Sequence, residues 1–129
     1  MESKWKNKSF ISALKNSING IKYIFINERN FRIQLILAIL SLILGLILKI
    51  SVTEYAIIIL VIFLVLLAES INTVIEVIVD MYTEEYNEKA KIAKDVSSAA
   101  VTLIAICSII IGIAIYLPAF LSYNNLLNR

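Results

Sequence analysis

Three apolar runs organise the chain. The first extends from Ile33 to Leu48, broken by Gln34 and Ser41; the second from Tyr55 to Val79; the third from about Ala99 to Leu117. A helix needs about 20 residues to cross the hydrocarbon core of a bilayer. The first run is short by that measure and borrows Phe31, Arg32 and Lys49 as interfacial flanks. The second is long, so its C-terminal turns should reach into the interface. No run leaves a polar face to meet water, which removes the reading as soluble core helices. With their flanks, the runs predict transmembrane helices over about 31–49, 55–80 and 96–118.

Ahead of them lies "FISALKNSINGIKYIFINERNF". Phe10, Ile11, Leu14, Ile18, Ile21 and Phe25 fall near one helical face, and Lys15, Asn19 and Lys22 lie mostly elsewhere. With Trp5 and the early lysines, this predicts an amphipathic helix over about 5–27 lying in the headgroup layer. Gly20 offers a bend or a close approach within it. The C-terminal "YLPAFLSYNN" carries aromatic residues and a proline where an outer interface should be, and reads as an anchor. The expectation is an all-α integral membrane protein forming one domain over 1–129.

Composition agrees. Of 129 residues, 60% are hydrophobic, above the roughly 45–50% usual in soluble domains, and mean hydropathy is +0.85. Residues 1–32 lack the clean apolar core and small-residue cleavage site of a signal peptide. Lysine and arginine number seven in residues 1–32, one in the first loop (Lys49), three in the second (Lys89, Lys91, Lys94) and one in the tail (Arg129). That alternation places the N-terminus and the second loop in the cytoplasm. The net charge of +2 is too small to suggest nucleic acid. Histidine is absent, so a metal would be held by carboxylates, which favours a hard ion such as magnesium. Cys107, the single cysteine, is expected to be a packing residue.

Polar groups in the wrong place change this picture. Glu69, Asn72, Glu76 and Asp80 interrupt the end of the second run. At the helical repeat they lie within about 80° of one another, a continuous stripe on one face toward the cytoplasmic end. An ionised side chain at the bilayer centre costs roughly 2.5–3.5 kcal/mol on insertion scales. The stripe must therefore face protein, water or a bound cation. Lys91, Lys94, Asp95 and Ser98 share a face leading into the third span, and Glu28 and Arg32 share one just before the first. Glu84, Glu85, Glu88 and Lys89 fit an ordinary solvated helix start instead. Together the groups provide carboxylates for a divalent cation, a lysine for phosphate and a further carboxylate to accept a proton. Phosphoryl transfer needs that set, and so could ion coupling or a proton relay in a non-enzymatic membrane protein. No GxxxxGK motif and no soluble-kinase signature is present.

The run "ESINTVIEVIVD", followed by "AKDVSSAAV", and upstream the E-x-x-x-R of "NERNFR", resemble the prokaryotic diacylglycerol kinase and undecaprenol kinase family over roughly Phe10 to Leu117. The resemblance implies a bacterial cytoplasmic-membrane lipid kinase using magnesium and ATP. It also implies a homotrimer, each subunit with three membrane helices and a surface helix, whose active sites are shared between neighbours. By matching positions, Glu69 resembles the base for the lipid hydroxyl, Glu28 and Glu76 the metal carboxylates, and Asn72 a polar contact near the nucleotide. Lys94 resembles the lysine on phosphate; Asp80, Asp95 and Arg32 match functional positions without separable roles. Ser9, Asn16 and Gln34 stand where the diacylglycerol kinase branch has a basic residue, an aromatic and an acid. These departures lean toward the undecaprenol kinase type of Gram-positive bacteria, with diacylglycerol as the alternative acceptor.

Overall fold

A computed structural model describes residues 9–83 and 85–127. Trp5, the lysines at positions 4, 6 and 8, Glu84 and the start of the expected surface helix lie outside them. Four helices follow in order: α1 (Phe10–Asn27), α2 (Arg29–Leu48), α3 (Val52–Tyr82) and α4 (Glu88–Leu127). The last three are each long and apolar enough to cross a membrane.

Helix α1 opens on Ser9, whose hydroxyl accepts from the Ser12 N–H at 3.2 Å. It buries none of its residues, and a Cβ at Gly20 would meet nothing within 4 Å, so no close approach occurs there. Glu28 ends α1 in an extended conformation and begins α2. The Arg32 side chain folds back to cap α1, donating from Nη1 to the carbonyls of Phe25 at 3.0 Å and Ile26 at 2.7 Å. These would otherwise be open acceptors at a helix end.

A tight hairpin joins α2 to α3 at the other end. Lys49 takes the left-handed conformation (φ 53°), and the N–H of Ile50 returns to the Gly45 carbonyl at 3.2 Å. Ser51 and Glu54 then form a reciprocal capping box at the start of α3. Gly45 is buried against Ile50 and Tyr55, and a Cβ there would stand only 3.0 Å from each. The Tyr55 hydroxyl donates to the Leu42 carbonyl at 3.1 Å. The turn thereby fixes how far α3 slides along α2, and so which residues face one another at the opposite end.

Helix α4 packs along α3 and only lightly on α2. Its N-terminus is capped by Asn87, whose Oδ1 accepts from the N–H groups of Lys89 and Ala90. It runs without interruption through Pro118 to Leu127, well beyond the expected third span. Pro118 removes one backbone donor, a loss the surrounding turns of this long helix absorb.

The buried set is small. Ala38, Leu48, Ile58 and Ile115 are its larger apolar members, and Glu69, Thr73 and Ser97 are buried with them. Most large apolar side chains face outward, as a helix surface meeting lipid or a neighbouring subunit requires. Cys107 is exposed on the surface of the single chain.

Candidate active site

The acidic stripe of α3 faces the other helices of its own chain. Glu69 sits deepest and is 2% exposed. Its Oε2 accepts from the Gln34 Nε2–H of α2 at 2.8 Å. The Thr73 hydroxyl, one turn on, is spent on the Glu69 backbone carbonyl at 3.0 Å. A buried carboxylate with one side-chain donor keeps acceptor capacity for another proton or donor.

One turn toward the loop, Asn72 is held at both ends of its amide. Its Nδ2 donates to Glu76 Oε1 at 2.8 Å, and its Oδ1 accepts from the Ser97 hydroxyl of α4 at 2.6 Å. Asn72 thus ties α3 to α4 and turns the Glu76 carboxylate. At the mouth, Lys94 Nζ of α4 stands 2.5 Å from Asp80 Oδ1, the one ion pair among the described residues. Asp95 is exposed and makes no hydrogen bond or ion pair among those residues.

Glu28 approaches from the α1–α2 junction. Its carboxyl is held above the usual glutamate range, chiefly by partial desolvation and further by the negative charges of Glu76 and Glu69. Arg32 opposes this with its positive charge, although the guanidinium spends its hydrogen bonds on α1 carbonyls rather than on Glu28. The pairing suggested by four-residue spacing is therefore electrostatic and not a salt bridge. Three carboxylates share one neighbourhood, but among the described residues no three converge as a ready metal cage.

A family model described as prokaryotic diacylglycerol kinase matches residues 15–116. The undecaprenol kinase of Bacillus subtilis (strain 168) is 39% identical over 111 residues, which cover 86% of this chain and 87% of that relative. The chain belongs to the prokaryotic diacylglycerol kinase family. It is a lipid kinase, and a member of this family uses ATP on a lipid held in the membrane.

For a lipid kinase the stripe is graded in depth. Glu69 is sealed among helices, Asn72 and Glu76 are half-buried, and Asp80 and Asp95 are exposed. Two members of this network were not singled out by spacing. Gln34 provides the Glu69 donor, and the available signal was that Gln34 and Ser41, both polar interruptions of α2, fall on one helical face. Ser97, not Ser98, turns toward α3; the exposed Ser98 instead accepts at its carbonyl from Thr102.

Two expected outcomes follow from the outer half of the site. The Lys94 and Asp80 side chains are 38% and 65% exposed, and such pairs add about 0–1 kcal/mol to stability. Lys94→Ala should thus leave detergent unfolding nearly unchanged; a phosphate-binding role for Lys94 would show as phosphoryl transfer lowered about 10–100-fold, the worth of one charge-assisted contact. Equal losses in both measurements would make Lys94 a structural residue. Arg32→Gln removes the one positive influence on Glu28, so that carboxyl stays protonated to a higher pH. The acid limb of the activity profile should move upward in pH. A limb that stays in place would mean that Glu28 ionisation does not limit the reaction.

Proposed function

We propose that this protein transfers the γ-phosphoryl group of ATP to undecaprenol, giving undecaprenyl phosphate at the cytoplasmic face of the bacterial membrane. The observation that carries the reading is Glu69: a carboxylate buried within a helix long and apolar enough to cross a membrane, oriented by a neutral amide, at the inner end of a graded polar stripe. The alcohol oxygen attacks the γ-phosphorus, the bond to the bridging oxygen of ADP breaks, and the hydroxyl proton passes to Glu69. The similarity to a relative named undecaprenol kinase supports this acceptor. The family description favours diacylglycerol as the alternative.

Glu28 and Glu76 suit magnesium, which is commonly bound by one or two carboxylates together with substrate phosphates rather than by an all-protein cage. The crowding of negative charge on Glu28 supports that fit. Magnesium there supplies charge neutralisation at the phosphate oxygens. Lys94 contacts phosphate, with Asp80, Asp95 and Asn72 on the nucleotide side, while Arg32 holds α1 against the site.

The reading includes a homotrimer with sites shared between neighbours and a cytoplasmic N-terminus. Asp95, exposed without a partner among the described residues, supports a contribution across a subunit boundary. The exposed Phe10, Ile11, Leu14 and Ile18 support α1 lying in the headgroup layer.

Purified protein in lipid micelles, given labelled ATP, magnesium and each alcohol in turn, provides the test. Label should pass to undecaprenol with the highest kcat/KM. Preference for diacylglycerol would assign the alternative acceptor, and transfer to no alcohol would sink the kinase assignment.

A further inference from the structure

An apolar groove begins among α2, α3 and α4 at Gln34, the hydrogen-bond partner of the catalytic candidate. A cavity of about 230 Å³ opens at Gln34 and passes Ala38 to Ser41, with Ile58 and Leu66 of α3 and Ile109 and Gly112 of α4 also lining it. A second, of about 490 Å³, shares Ile109 and Gly112 and continues to Leu48 and Phe120. From Gln34 to Leu48 the run along α2 is about 21 Å. Its lining is almost wholly apolar.

Apart from Ser108, whose hydroxyl is spent on the Ala105 carbonyl, the exceptions mark its inner end and its middle. Gln34 gives its N–H to Glu69, but its Oε1 is buried and accepts no hydrogen bond. A buried acceptor without a donor is costly, and an incoming hydroxyl would satisfy it. Where the two cavities meet, the Tyr116 hydroxyl donates to the Ser41 carbonyl at 2.8 Å. With that proton committed, the Ser41 hydroxyl donates to the Tyr116 oxygen, also at 2.8 Å. The bridge ties α2 to α4 across the groove.

We propose that this groove seats the hydrocarbon chain of the acceptor alcohol, and that the Ser41–Tyr116 bridge selects for chain length. The proposal rests on the reading of Glu69 as the group that takes the hydroxyl proton. On entry the hydroxyl donates its single proton to Gln34 Oε1 and turns it to the neighbouring Glu69 only as the oxygen attacks, and among the described cavities the apolar path that starts at Gln34 is the groove. A short chain ends before the bridge; a long one must displace Tyr116 to continue.

Gly112 is the position at which to test this, because it lines both cavities. A Cβ there would meet only Tyr116 Cδ2, at an ordinary 4.0 Å. A Cβ is therefore accommodated at this position, and Gly112→Leu extends from it toward the junction. With undecaprenol its KM should rise about ten-fold or more, while turnover of geraniol stays within about two-fold of wild type. Tyr116→Phe, which keeps the ring and removes the bridge, should lower the undecaprenol KM about five-fold, the equivalent of one net hydrogen bond. Geraniol should again be unaffected. If Gly112→Leu alters neither acceptor, or both equally, the proposal fails while the kinase reading stands. Wild-type transfer to no alcohol fails the kinase reading instead.

A second measurement decides where the chain lies whatever the kinetics. Undecaprenol carrying a mid-chain diazirine should label α2 between Ser41 and Leu48 and α4 between Ile109 and Tyr116. Label confined to other faces overturns the proposal. A Gly112→Leu chain that loses its oligomer, with no label in the groove of wild type, assigns the groove to a second copy and overturns it as well.

Discussion

Glu69→Gln should lower kcat by about 10²–10⁴-fold, the usual worth of a positioned proton acceptor, while leaving the fold at least as stable. The two effects separate because the substitution changes charge and almost nothing else. Glutamine at position 69 can accept the same hydrogen bond from Gln34 that now spans 2.8 Å. It cannot take a proton from an attacking hydroxyl. A carboxylate that is 2% exposed has given up its hydration, and replacing a buried charge by a neutral group of similar shape is often neutral or stabilising. An activity loss coupled to equal or greater resistance to unfolding is the signature of a group retained for chemistry. Initial rates at saturating ATP and lipid, with unfolding followed in the same detergent, measure both. Near-wild-type turnover would place the base elsewhere. Loss of the fold together with activity would make Glu69 structural.

The three spans were readable because length and uninterrupted apolarity are local properties of the chain. The stripe was readable for a similar reason: helical spacing alone puts Glu69, Asn72, Glu76 and Asp80 on one face. What spacing does not contain is the partner of each group. Gln34 meets Glu69 across 35 positions of sequence, and that pairing depends on how far α3 slides along α2. The slide is set at the far end, by left-handed Lys49, the Ser51–Glu54 capping box and the close approach at Gly45. Ser97 and Ser98 differ by one residue, about 100° of helix, so which one reaches Asn72 depends on the rotation of α4. Arg32 illustrates a different limit. Its four-residue offset from Glu28 suggests an ion pair, but the open carbonyls at the end of α1 compete for the same guanidinium and hold its hydrogen bonds. Backbone acceptors leave no mark in a sequence.

The same reasoning makes Gln34 the support on which Glu69 depends, and predicts a large cost for removing it. Gln34→Leu keeps most of the volume but takes away the side-chain donor of a buried carboxylate. A hydrogen bond to a charged group contributes about 1.5–3 kcal/mol, and leaving that group unsatisfied costs its desolvation as well. A stability loss of about 3 kcal/mol or somewhat more is expected, with activity falling because Glu69 is no longer held in one orientation. The companion experiment is the double variant Gln34→Leu with Glu69→Leu. Once neither partner is polar, no group is stranded, and apolar replacement of both can be nearly neutral. The double variant should therefore unfold at a denaturant concentration close to wild type although it is inactive, a strongly non-additive result for residues in contact. Simple addition of the two single losses would mean that the 2.8 Å contact carries little free energy. Glu69 would then be satisfied by water or by a neighbouring subunit, and its orientation would have to be explained from outside the chain.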